Sequence, residues 1–110
     1  MIEEARQVCA RLERLETAVR GIAQQASERN QYRFLVSSAD LIGRERVKLS
    51  QGLVRMDDAA IKWALRSIAD MMKGLIDIGS DLPDLAPPLW QEAHAVASEA
   101  HRIELASRMR

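Results

Sequence analysis

The sequence predicts an all-α protein, an antiparallel four-helix bundle with helices near residues 2–27, 31–50, 57–78 and 88–108. Apolar residues recur at three- and four-residue spacings in four long segments, which is the pattern of amphipathic helices. Polar or proline-containing stretches separate these segments, and no segment alternates apolar and polar residues as a strand does. At 110 residues with 47% hydrophobic content, residues 1–110 are predicted to form one domain.

The first predicted helix carries a heptad pattern, in which the apolar residues form one narrow seam. Charged residues occupy its other faces, so this helix has one side to bury. The seam consists of Met1, Ala5, Val8, Leu12, Leu15, Val19, Ile22 and Ala26. Residues 27–31 contain no apolar side chain, which indicates either a turn or a stutter within one longer helix.

The second predicted helix is irregular. Its apolar pattern begins at Tyr32, one position out of phase with the first helix. Arg46 occupies a seam position, and Gly43 and Gly52 both weaken the helix. We therefore expect this helix to end near Ser50.

The third predicted helix has the clearest start, because Asp57 is a favourable N-cap residue. Its core seam consists of Ile61, Leu65, Ile68, Met72 and Leu75. A second apolar flank consists of Ala60, Trp63, Ala64, Met71 and Ile78. This wide apolar arc predicts a helix with two neighbours, and it leaves open that dimerisation completes the bundle.

The fourth predicted helix follows a loop that begins after Gly79 and ends at Pro87 and Pro88, where proline suits a first helical turn. Its apolar seam is small in the middle, which allows a neighbouring helix to approach closely. The seam consists of Leu89, Ala93, Val96, Ala100 and Ile103.

Composition bears on location and on ligands. Sixteen basic residues balance sixteen acidic ones, so no overall field attracts nucleic acid or an anionic membrane. The single cysteine, Cys9, forms no internal disulfide, and residues 1–6 lack the features of a secretory signal. No apolar run approaches the roughly 20 residues of a membrane-spanning helix. We expect a cytoplasmic protein with no membrane contact.

The two histidines give little support to a metal site. His94 and His101 lie seven residues apart, which is too far for one metal ion on a helix, and neither belongs to a Glu-x-x-His or His-x-x-x-His motif. We therefore predict no metal site and no cofactor. A histidine on a four-helix bundle is also similar to histidine-phosphotransfer domains. In those domains a basic residue and then a small one follow the phosphorylated histidine, and neither histidine here has that context.

One segment of the first helix, residues 11–22, resembles the opening helix of the copper-sensing CsoR-type repressors. In that family a cysteine begins the second helix and a His-x-x-x-Cys pair follows along it. This chain has Arg33 just after Tyr32 and no such pair. The resemblance therefore implies no metal-sensing function for this protein.

Charge is unevenly distributed along the chain. Residues 28–56 contain six basic and three acidic residues, whereas residues 57–84 contain three basic and six acidic ones. A basic second helix could bind phosphates, and Arg44, Arg46 and Lys48 are the candidate contacts. The simpler interpretation is that the second and third helices complement each other's charge, within the bundle or across a dimer.

An apolar loop is the main candidate docking site. Leu82, Leu85, Leu89 and Trp90 surround three prolines. Folded over the end of the bundle, these side chains would close the core, which is the favoured interpretation; left exposed, they would anchor a partner. Trp63 of the third helix is a further docking candidate.

These observations favour a non-enzymatic interaction protein, such as an adaptor, a small subunit or an inhibitor. The expected partner is another protein or a second copy of this chain, and we expect a homo-oligomer. We find no glycine-rich phosphate loop, nucleophile elbow or catalytic triad in the sequence. The first alternative is an accessory nucleic-acid-binding subunit of a ribonucleoprotein complex, and the second is a histidine-phosphotransfer-like module.

Overall fold

The computed structural model describes residues 1–79 and 87–109 and contains four helices, which confirms the predicted four-helix bundle. They are α1 (Ile2–Gln25), α2 (Arg29–Val54), α3 (Asp58–Gly79) and α4 (Pro87–Arg108). The described residues include no strand. Contacts are most extensive within the pairs α1–α2 and α3–α4, and contacts of α2 with α3 and of α1 with α4 complete the bundle. None of these helices is long and apolar enough to cross a membrane.

Ion pairs show that α1 and α2 are antiparallel. Arg20 Nη2 lies 3.1 Å from Asp40 Oδ1, and Glu16 Oε1 lies 3.3 Å from Arg46 Nε. The residue number of the partner on α2 therefore increases as the residue number on α1 decreases, which is the pattern of antiparallel helices. The Arg20–Asp40 pair lies on the surface and adds little stability, whereas the Glu16–Arg46 pair is half-buried. Together the two pairs fix the relative height of the two helices.

Ion pairs also join α1 to α4. Arg11 Nε donates to Glu92 Oε1 at 2.9 Å, and the guanidinium of Arg102 bonds both Glu4 and Glu99. These bonds raise the pKa of Arg11 and of Arg102, and the bond from Arg102 lowers the pKa of Glu99. The first and last helices are thereby held together along their polar flanks.

The hydrophobic core draws on all four helices. Every seam residue predicted for the third and fourth helices is buried. In α1 the buried residues are Ala5, Val8, Leu12, Leu15, Val19 and Ala23. Tyr32, predicted to begin the seam of the second helix, is instead 47% exposed, and the seam of α2 begins at Leu35.

Helix α2 is longer than the sequence predicted. A short break at residues 26–28 separates it from α1, so the turn is correct and the stutter is wrong. The helix continues to Val54 rather than ending near Ser50. Gly52 lies inside it and lets α3 approach, because a Cβ atom there would be 3.3 Å from Ile61 Cγ1. Close packing therefore explains a glycine that looked like a helix breaker.

The start of α3 is as predicted. The Asp57 side chain accepts a hydrogen bond from the backbone N–H of Ala60, with 3.2 Å between Oδ1 and N. This bond satisfies one of the N–H groups that lack a partner in a first helical turn. Only residues 55–57 separate α2 from α3, so the two helices form a tight antiparallel connection.

Candidate functional site

The structure divides the predicted docking residues. Leu89 is only 7% exposed, and the ring of Trp90 stacks at a tilt against Phe34 with 6.1 Å between centroids. The Trp90 ring also covers Gly79, where an added Cβ would lie 2.8 Å from Cζ2. Leu89 and Trp90 therefore help to close one end of the core. Leu82 and Leu85 lie outside the described residues.

Trp63 is the docking candidate that faces solvent. Its side chain is 71% exposed, although it belongs to a helix whose opposite side fills the core. It borders a groove of about 430 Å³ between α2 and α3, whose floor is made mainly of small residues. The groove is lined by Lys48, Gln51, Gly52, Arg55, Ala60, Trp63, Ala64 and Ser67.

A row of basic side chains lies on the outer surface of α2: Lys48 and Arg55 line this groove, whereas Arg44 borders the neighbouring groove between α1 and α2. Arg44, Lys48 and Arg55 are four and seven residues apart, so they share one stripe of the helix. Arg44 and Arg55 are exposed, and neither makes an ion pair within the described parts of the chain. Lys48 Nζ lies 3.2 Å from Glu45 Oε1, yet the lysine side chain remains 61% exposed.

Arg46 does not belong to this row, although the sequence grouped it with Arg44 and Lys48 as a phosphate contact. It turns toward α1, where its Nε bonds Glu16 Oε1 at 3.3 Å and its side chain is 29% exposed. Arg55 takes its place in the row and was missed. Its position seven residues after Lys48 was the available signal.

Asp70 provides a negative charge on the α3 side of the groove. It follows Trp63 by seven residues, so the two share one stripe of α3. Asp70 is exposed and has no ion-pair partner among the residues described. We name the outer surface formed by Arg44, Lys48 and Arg55 of α2 with Trp63 and Asp70 of α3 the α2–α3 face.

Glu45 is buried between the row of basic residues and the core. It is 8% exposed, and its Oε1 atom accepts the bond from Lys48. Its Oε2 atom is buried and has no partner in the described structure. A half-satisfied buried carboxylate is costly, so Lys48 has a structural role in compensating Glu45 as well as a place on the surface.

The remaining titratable candidates are less organised. His94 and His101 are both exposed on α4, and the described residues contain no cluster of three or more metal-ligating side chains. Cys9 is half-buried and donates weakly to the backbone oxygen of Arg46, with 3.9 Å from Sγ. Burial raises the pKa of its thiol, so little reactive thiolate forms near neutral pH.

Comparison with known proteins adds no family assignment. No family model matches this chain, and neither the curated proteins nor the solved structures gave a significant match.

Proposed function

We propose that this chain is a non-enzymatic helical interaction protein that binds a protein partner through the α2–α3 face. The exposure of Trp63 carries the proposal. A tryptophan that is 71% exposed leaves a large apolar surface in water, and burying it against a partner releases that surface. Tryptophan is also among the residue types that most often dominate the energy of an interface.

The surroundings of Trp63 have the composition of an interface. The groove beside it offers a small-residue floor that a partner's side chains can fill, and charged side chains form its rim. Val54 is even more exposed, at 82%, but it does not line this groove. Apolar exposure alone therefore does not single out Trp63; its combination with the groove and the charged rim does.

Self-association and a cytoplasmic location belong to the same proposal. Support for self-association comes from α3, which fills the core with one flank and exposes Trp63 and Ile78 on another. Support for the location comes from the single cysteine, Cys9, whose half-buried thiol is unpaired and suits a reducing compartment.

Chemical cross-linking in cells of the native host, followed by affinity capture and mass spectrometry, tests the docking surface. We expect the Trp63→Ala variant to no longer capture one specific protein that the wild type captures, because its anchoring side chain is removed. That protein is either a different protein or a second copy of this chain. Val54→Ala is the matched control, since it truncates an exposed apolar residue outside the groove, and it should keep that protein. Equal recovery with both variants would place the docking surface elsewhere.

Binding to single-stranded RNA is a second candidate, favoured by Lys48 and Arg55 beside the exposed ring of Trp63 and by Arg44 further along the same stripe. Neutralising three phosphates would give a log–log salt slope of about −2 in a mobility-shift assay. No shift at low salt would reject this function. We rank it second because Asp70 on the same face repels phosphates.

A further inference from the structure

We propose that the occupant of the α2–α3 face is the same face of a second copy, related by a two-fold axis parallel to the helices. This inference rests on the proposed function and names its partner. The dimer would pair Arg44 of each copy with Asp70 of the other, and would place each Lys48 over the ring of the other Trp63.

The first step is the height of these side chains along the bundle. Gly52 of α2 packs against Ile61 of α3, which sets the two antiparallel helices in register. Arg44 precedes Gly52 by eight residues and Asp70 follows Ile61 by nine. At 1.5 Å per residue these offsets are about 12 Å and about 13.5 Å in the same direction. Arg44 and Asp70 therefore lie at nearly the same height.

The second step is that equal height does not pair them within one chain. Both side chains are exposed on the outer stripes of their helices, and neither forms an ion pair in the described structure. The sequence predicted that charges on α2 and α3 complement each other, and these two residues do not do so within one chain. A second molecule that brings an opposite charge to each of them can provide that complementarity.

The third step is symmetry. A two-fold axis that runs parallel to the helices, in front of the groove, places α2 of one copy opposite α3 of the other. Rotation about that axis leaves heights unchanged, so Arg44 meets the other copy's Asp70, and the reverse pair forms by symmetry. By the same register, Lys48 and Trp63 lie about 6 Å and about 3 Å from the Gly52 and Ile61 contact, close enough for a cation–π contact.

The face is also large enough. Helix α2 has 26 residues and is therefore about 39 Å long, and two adjacent helices present a surface about 20 Å wide. That is about 800 Å² on each copy, the area that a standard-size interface buries per partner. Leu41 of α2 and Ile78 of α3, which are 37% and 56% exposed, add apolar surface on these two helices.

The charges favour a second copy over other occupants. An acidic helix or a nucleic acid would satisfy Arg44, Lys48 and Arg55 but would meet repulsion from Asp70. A second copy offers both signs at matching heights. It is therefore the occupant that leaves the fewest charges of this face opposed by a like charge.

Charge reversal tests the dimer. Sedimentation velocity over a concentration series should show self-association of the wild type beyond its 12.4 kDa protomer. Arg44→Asp and Asp70→Arg each place like charges together, and each should weaken the dimer by about tenfold or more in Kd. The double variant recreates the pair with its signs exchanged and should recover to within about threefold of the wild type. Lys73→Asp, an exposed reversal off the face, is the control and should leave Kd unchanged.

The outcomes separate this inference from the proposed function. A wild type that stays monomeric at about millimolar concentration overturns the dimer, and so does a dimer whose Kd the reversals leave unchanged. Failure of the double variant to recover, with helical circular dichroism intact, also rejects the Arg44–Asp70 pair. A different protein whose capture depends on Trp63 would uphold the proposed function while the dimer fails. A wild type that stays monomeric, loses no captured protein on Trp63→Ala and binds RNA with a salt-dependent Kd would overturn both.

Discussion

Neighbouring basic residues of α2 serve different surfaces because a helix turns by about 100° per residue. Arg44 faces solvent without an ion pair in the described structure, whereas Arg46 is held by Glu16 in the contact with α1. Between them Glu45 turns inward and keeps Lys48 close. Three consecutive charged residues thus provide a free surface charge, an interhelical ion pair and a buried acid.

At the centre of α3, Ile68 is fully buried whereas Arg66 is exposed. Ile68→Asp should lower the free energy of unfolding by about 4 kcal/mol or more, because an unpaired carboxylate would replace a core side chain. Arg66→Asp should cost about 0.5 kcal/mol or less. Urea titrations followed by circular dichroism measure both, and equal effects would contradict the orientation of α3.

The Cys9 thiol should ionise at higher pH in the folded protein than in the unfolded chain. Burial raises its pKa, with a further increase from Glu13 that Arg46 partly offsets. Iodoacetamide alkylates the thiolate, so the alkylation rate of Cys9 increases as the thiol ionises. The midpoint of this increase should therefore lie at a higher pH in buffer, where the protein is folded, than in concentrated urea. Because the folded pKa is raised, Cys9 contributes stability at low pH that is lost as the pH rises through that value. Identical pH profiles in both solvents would show that the site is solvated.

At the scale of single helices, α2 shows where sequence rules fall short. Its apolar pattern predicted a helix, but glycine propensity predicted an early end near Ser50. The structure places Gly43 against Glu16 and Gly52 against Ile61, with added Cβ atoms 3.0 Å and 3.3 Å from their nearest neighbours. A propensity scale describes an isolated helix, and these glycines reflect neighbouring helices that the scale does not include.

Two other glycines should respond oppositely to alanine. An added Cβ at Gly21 meets nothing within 4 Å, so Gly21→Ala should stabilise α1 by about 0.5–1 kcal/mol. A Cβ at Gly79 would lie 2.8 Å from the Trp90 ring, so Gly79→Ala should destabilise the protein by about 1–3 kcal/mol. Thermal melts of the two variants test this contrast. A stabilised Gly79→Ala would show that the Trp90 ring moves aside freely.

For the whole molecule, the sequence predicted the number and order of the helices and the core seams of α3 and α4, because each of these depends on local spacing. The predicted seams of α1 and α2 were wrong at their ends, where Tyr32 is exposed and Ala23 is buried in place of Ile22.

The sequence placed Trp63 and Lys48 among candidates but did not bring them together. The groove between them depends on the relative position of α2 and α3 along the bundle axis. The packing of Gly52 against Ile61 determines that position. That contact joins two helices and has no signature within either one. Arg46 was misplaced for the same kind of reason, because its bond to Glu16 joins α2 to α1. Arg55 was missed although its spacing from Lys48 was visible in the sequence.

The uneven contacts among the four helices give the molecule an internal division. The interface between α1 and α2 and the interface between α3 and α4 are each more extensive than the interface of α2 with α3 or of α1 with α4. The pairs α1–α2 and α3–α4 should therefore each exchange hydrogen as one cooperative unit, which amide hydrogen exchange measures residue by residue. The groove beside Trp63 lies between the two pairs. The proposed binding surface thus lies where the two helix pairs can move apart while each pair stays folded. The groove can therefore adjust its width to the partner that binds there.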